Sequence, residues 1–272
     1  MKAKLYFGSI CKDKEEQKEV RSPYDGRLVS TFSVSNEDDA REILHIARKA
    51  SSQTKLVPMH QRVSWLLDVA QKLESMREKM ALCITEEVGK PITFSRIEVD
   101  RCIETIRLSA NAITHVNGET FDTTAMPSGK KSLAFYKREA VGVVLAITPF
   151  NFPAMIPLWM FPMAIVCGNT FVLKPSEQDP LSTMMLVELA IEAGIPAGVL
   201  NVVHGGKDVV DALCTHQDIK AISFVGSTAV GTHVYNLAGQ HGKRVQSMMG
   251  AKNHVVVMPD ANKEQTLNAM VG

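Results

Sequence analysis

From residue 141 onward the chain alternates short apolar runs with longer helical segments, and no other feature restricts the fold as much. Strands are expected at 142–147, 170–173, 200–203 and 221–225, separated by a proline-rich helix and by helices at 180–193, near 209–213 and at 228–238. Apolar runs this short, spaced by helices, specify strands buried on both faces. The expected class is α/β, a parallel sheet with helices on both faces. Ligands bind such sheets beyond the carboxyl ends of the strands.

The first half reads differently. Residues 4–35 alternate extended stretches with turns, including Ser22-Pro23-Tyr24-Asp25-Gly26. Ser35 is the expected cap of a helix carrying Ala40, Ile43, Leu44 and Ala47 on one face. Further helices are expected at 60–76, 79–88 and 93–116, the last with Ile97, Cys102, Ile103, Ile106 and Ala110 on an apolar stripe. Residues 118–138 then place a polar turn, Pro127-Ser128-Gly129-Lys130, between Phe121 and Leu133-Ala134-Phe135-Tyr136. This is a hairpin; a protruding arm that pairs with another subunit and a plain surface hairpin both fit it.

Charge and cysteine usage narrow the function. The formal net charge is +1, without a basic or acidic block, which argues against nucleic acid and anionic membranes as partners. The longest apolar stretch, 152–166, is interrupted by Pro153, Pro157 and Pro162, and the N-terminus has too short an apolar run for a secretory signal. A cytoplasmic protein is expected. The cysteines at 11, 83, 102, 167 and 214 form no C-x-x-C, and the eight histidines are scattered, so neither disulfides nor a metal are expected.

Three strand ends carry chemistry. At Thr148-Pro149-Phe150-Asn151-Phe152-Pro153 a buried strand opens into a proline-stiffened loop, where the Asn151 amide can donate to a developing oxyanion. An asparagine bonded to its own turn fits the same residues. At Lys174-Pro175-Ser176-Glu177 a carboxylate can accept from two ribose hydroxyls while the ammonium donates to one. Its negative charge would repel a 2′-phosphate, which favours NAD over NADP; a solvated ion pair is the alternative there. At Gly226-Ser227-Thr228-Ala229-Val230-Gly231 a glycine turn opens a helix, whose unpaired N–H groups suit a pyrophosphate. The spacing is G-x₄-G rather than G-x-G-x-x-G, and Thr232-His233 rules out a P-loop.

With these residues in view, 141–258 resembles the aldehyde dehydrogenase superfamily along its whole length, and 4–140 fits that superfamily's N-terminal segment. The stretches 149–163, 242–246 and 249–254 resemble its methylmalonate-semialdehyde, CoA-acylating branch. The resemblance implies that Asn151 is the side-chain donor of the oxyanion hole. It implies that Thr148, Pro149, Phe150, Lys174, Ser176, Glu177, Gly226 and Ser227 bind NAD, and that 118–140 is an oligomerisation arm of a dimer or tetramer. Arg101 falls near an arginine that this branch uses for the substrate carboxylate; a solvent-facing arginine fits equally.

In that superfamily a cysteine thiolate attacks the aldehyde, hydride passes to NAD and a thioester remains. Met248 stands where hydrolytic members carry a glutamate base, and a thioether cannot activate water. The branch resemblance supplies coenzyme A as acceptor, with methylmalonate or malonate semialdehyde as substrate and loss of carbon dioxide. The superfamily's nucleophile would lie beyond Gly272, and Cys102, Cys167 and Cys214 read as small core residues. The expected organisation is therefore 1–117 and 141–250 as the NAD-binding domain, 118–140 as the arm, and 251–272 as the opening of a catalytic domain, with a strand at 255–258 and a helix from 263. A chain of this extent is expected to be inactive alone. A non-catalytic dinucleotide-binding module fits the same residues.

Overall fold

The structure, a computed structural model, describes residues 2–3, 5–8, 10–129 and 132–271. Lys130 of the expected arm turn and Lys4 at the start of the first extended stretch lie outside them. Five strands come first: β1 (Lys2–Ala3), β2 (Leu5–Phe7), β3 (Ile10–Lys12), β4 (Gln17–Arg21) and β5 (Leu28–Ser33). Helices α1 (Glu37–Thr54), α2 (Met59–Ser75), α3 (Arg77–Val88) and α4 (Ile92–Ala112) follow. β6 (Glu119–Asp122) and β7 (Leu133–Tyr136) make the hairpin, paired antiparallel from Glu119↔Tyr136 to Asp122↔Leu133.

The alternating half then runs β8 (Val143–Ile147), α5 (Met155–Val166), β9 (Thr170–Lys174), α6 (Pro180–Glu192), β10 (Leu200–Val202), α7 (Lys207–Thr215), β11 (Ile219–Val225), α8 (Thr228–Gln240), β12 (Arg244–Met248) and α9 (Lys263–Val271). The main sheet has the order β12-β11-β8-β9-β10-β2-β3. Its first five strands are parallel, and β2 joins β10 antiparallel at Val202↔Tyr6. The expected parallel sheet thus gains an antiparallel extension from the N-terminus. Buried Asn201 makes that junction, accepting from the Gly8 N–H at 2.9 Å and donating to the Phe171 and Gly198 carbonyls. A smaller sheet, β1-β5-β4, stands apart.

Strand periodicity divides the core between the two faces. In β9, Phe171 and Leu173 pack with the α2–α6 side, while Val172 packs with α1, α7 and α8. In β8, Val143, Leu145 and Ile147 face the second cluster and Ala146 the first. Burying a side chain such as Phe171 contributes about 1.5–3 kcal/mol, and both faces are covered, as a parallel sheet requires.

Several expectations need correction. The cap of α1 is Asn36, not Ser35: its side chain accepts from the Asp39 N–H, and Asp39 accepts back from the Asn36 N–H. The Ser35 N–H instead donates to the His204 carbonyl. Ile97 is 47% exposed, off the stripe that Val99, Cys102, Ile103, Ile106 and Ala110 bury. Residues 255–258 form no strand; Val255, Val256, Val257 and Met258 are exposed. The strand in that region is β12, whose exposed Arg244 and Gln246 leave it little apolar signal.

Candidate functional site

The chain steps from β8 to β9 to β10 in one direction, then crosses back to place β11 and β12 on the other side of β8. That reversal opens a crevice at the carboxyl ends of β8 and β11. The three strand-end loops follow β11, β8 and β9, which are neighbours, so the topology brings together all three sequence motifs. The Thr148 N–H donates to the Lys174 carbonyl at 3.1 Å, joining the first loop to the second. Phe150 and Glu177 line one pocket of about 460 Å³ together with Val20, Pro23, Glu87 and Asp179.

The first loop carries a buried hydroxyl and an exposed amide. Thr148 is 4% exposed, and its Oγ1 is buried with no hydrogen-bond partner among the described residues. Pro149 is half-buried, and Phe150 and Asn151 are exposed.

The second loop is not a solvated pair. Lys174 is only 9% exposed, and burial lowers its pKa while Glu177 and Asp179 oppose the shift. Glu177 Oε1 is buried and accepts no hydrogen bond among the described residues. Leaving a buried carboxylate oxygen unfilled is costly, so the arrangement fits an acceptor kept for an outside donor. Ser176 Oγ accepts from the Gln178 N–H at 3.0 Å, which folds the loop.

The third loop presents a helix end. Gly226 and Ser227 follow β11, and Ser227 Oγ accepts from the Val230 N–H at 3.4 Å as the cap of α8. Gly231 lets α8 lie close on the sheet: a Cβ there would stand 2.6 Å from Met249 Cγ and 2.9 Å from Phe224 Cε1.

The helix ends after β8 and β9 are already filled. Glu98, fully buried on α4, accepts from the Ala154 and Met155 N–H groups at 3.1 and 3.2 Å, at the start of α5. Glu87 accepts from the Leu181 and Ser182 N–H groups at 2.7 and 2.8 Å, at the start of α6. Of the helices that follow β8, β9 and β11, α8 alone has no carboxylate bonded at its start among the described residues. Burial pushes the Glu87 carboxyl up to about 7 against its backbone hydrogen bonds. Burial also takes Asp179 up to about 8.

Sequence reasoning missed Glu87, Glu98 and Lys90. Lys90 Nζ donates to Glu98 Oε2 at 2.6 Å and to the Asn151 carbonyl at 2.8 Å, and lies 4.3 Å from the Phe152 ring centre. The available signal was Glu98 itself, a carboxylate one turn before Cys102 on the apolar stripe of α4, since a charge in such a stripe is buried and paired. Arg101, on the same helix, is exposed.

Cys83, Cys102 and Cys214 are buried. Burial raises all three thiols, Cys214 to about 12. Cys167, expected in the core, is only half-buried because it ends α5 beside Arg62; burial raises its thiol too, against the guanidinium.

A family model described as the aldehyde dehydrogenase family matches residues 10–272. The chain belongs to that family. It is 44% identical over 258 residues to malonate-semialdehyde dehydrogenase 1 of Oceanobacillus iheyensis, covering 94% of this chain and 52% of that protein. A structure from Sinorhizobium meliloti 1021, described as a methylmalonate-semialdehyde dehydrogenase and solved with NAD, superposes with a TM-score of 0.93 at 35% identity over 100% of this chain and 55% of that one. An NADP-dependent glyceraldehyde-3-phosphate dehydrogenase of Bacillus halodurans, solved with NADP, superposes with a TM-score of 0.94 at 30% identity over 100% of this chain and 57% of that one. This aldehyde dehydrogenase chain therefore spans about half the length of the relatives it matches.

Proposed function

We propose that the chain holds NAD for the oxidation of a short semialdehyde, malonate or methylmalonate semialdehyde being the best fit. The observation that carries this reading is the buried, unfilled Glu177 Oε1 beside buried Lys174, one strand away from the loop of Asn151 and two from the open end of α8. A ribose diol would donate to Glu177 and accept from Lys174. Gly226 and Ser227 would sit against the pyrophosphate at the start of α8, and Thr148, Pro149, Phe150 and Ser176 would line the remaining cofactor surface. The residues fit the group, which when bound supplies the hydride acceptor.

Around it the chain's own residues have distinct tasks. The Asn151 amide would donate to the aldehyde oxygen as negative charge develops there. Arg101 would meet the substrate carboxylate. Met248, at the end of β12, is paired with Val225, and its carbonyl accepts from the Gly226 N–H at 3.2 Å. Its thioether takes no proton from water, so the reading has the acyl group pass to coenzyme A. The nucleophilic thiolate is none of Cys83, Cys102, Cys167 and Cys214, all held protonated by burial. Exposed Phe121, Leu133 and Phe135 make β6 and β7 the proposed oligomerisation arm.

Calorimetric titration with NAD and NADP tests the reading. NAD should bind more tightly, because a 2′-phosphate would meet the Glu177 carboxylate. Equal affinity for both, or none for either, refutes it.

A further inference from the structure

We infer that Lys90 and Glu98 are positioning residues that fix the Asn151 amide at the proposed site. The inference rests on the reading of Asn151 as the donor to the substrate oxygen. A side chain in that role must be held to within about half an ångström, yet Asn151 is exposed on an irregular loop. The restraint comes from behind it. Lys90 donates to the Asn151 carbonyl at 2.8 Å, Thr183 Oγ1 to the Pro153 carbonyl at 2.8 Å, and Glu98 Oε1 accepts from Ala154 and Met155. The loop is thus pinned at Asn151, in its middle and at its junction with α5.

Capping α5 needs only Glu98. What the cap does not require is the reach of Lys90 to a carbonyl three residues before Ala154. Lys90 is placed for that reach by Gly89, whose φ of 75° ends α3 in the left-handed region and turns the chain into α4. A Cβ at Gly89 would stand 2.7 Å from Pro23 Cγ, so the turn has no room for a larger residue. The ammonium is then locked: its side chain is 14% exposed and Glu98's is fully buried, so their 2.6 Å pair is little weakened by water. The Phe152 ring adds a third contact at 4.3 Å.

The test is nuclear magnetic resonance of the ¹⁵N-labelled chain, following the side-chain amide of Asn151. The buried asparagines Asn169 and Asn201 serve as internal controls, because hydrogen bonds of their own hold both. Lys90→Met should shift or broaden the Asn151 signal and abolish its response to added NAD, with Asn169 and Asn201 unchanged. Because Lys90→Met strands a buried carboxylate, the double variant Lys90→Met/Glu98→Gln is measured beside it and should behave alike. An Asn151 signal that keeps its position and its NAD response in both variants overturns the inference. So does a concerted change of all three asparagines in both, which would make the pair a general support of the fold. Absence of any NAD response in the native chain would instead defeat the cofactor reading, while the ligand-free Asn151 signal would still report on the pair.

Discussion

Glu177 and Asp179 stand two residues apart after the same strand, and their surroundings give them opposite roles. Glu177 keeps one oxygen without a hydrogen bond among the described residues, and its removal should cost the hydrogen bonds of an ionised acceptor, about 1.5–3 kcal/mol. Glu177→Ala should therefore weaken NAD binding by roughly tenfold to a hundredfold in calorimetric titration, with little change in thermal stability. Asp179 is 1% exposed and holds its proton up to about 8, well above its value in an unfolded chain. A carboxyl raised in this way stabilises the fold fully at acid pH, and the contribution is lost as pH rises through the folded pKa. Glu87, raised to about 7, acts in the same sense. Urea denaturation should show stability falling between about pH 4 and pH 8, and Asp179→Asn should flatten that slope; an unchanged slope would show that Asp179 is charged in the fold. Glu177 was legible in the sequence because it follows a strand and a proline. The burial of Asp179 was not, because it depends on β4 and α3, remote in the chain.

The parallel strands and their helices were legible because each is an apolar run with a period, and burial on both faces leaves few other ways to satisfy such runs. Boundaries and caps were less legible: Ser35 and Asn36 both suit a helix start, and only the reciprocal bonds with Asp39 decide between them. β12 escaped because Arg244, Gln246 and Met248 make an edge strand with little apolar signal, whereas Val255-Val256-Val257-Met258 has the composition of a strand and no pairing partner among the described residues. Phe171→Ala, in the middle of the sheet and packed on Phe161 at 6.3 Å between ring centres, should lower stability by about 3–5 kcal/mol in urea. Asn36→Ala should cost about 1 kcal/mol, while Ser35→Ala should cost distinctly less.

Taken whole, the molecule leaves apolar side chains uncovered from Met248 to Val271. Val256 and Val271 are 82% and 90% exposed, with Leu267, Met270, Met248 and Met249 exposed beside them in sequence. Patches of this kind mark contact surfaces, and strand edges such as β12 recruit further chains. The 272-residue chain should show concentration-dependent association by light scattering, and a version ending at Gly250 should show less. Equal association by both would place the sticky surface elsewhere, the hairpin of β6 and β7 being next. The purified chain should also show no NAD reduction with malonate semialdehyde in a spectrophotometric assay; clear turnover would return attention to its cysteines.

The carboxylates that fill the starts of α5 and α6 are borrowed from α3 and α4, 56 to 95 positions earlier in the chain. On the ribosome, where synthesis proceeds from the N-terminus, both acids emerge well before the helices they will cap. The early helices thus act as a template awaiting the alternating half. Trimming the gene to begin at β8 would yield a polypeptide whose parallel strands are all present and whose two leading helices start with bare amides, so the stretch from 141 to 250 is not an excisable cassette.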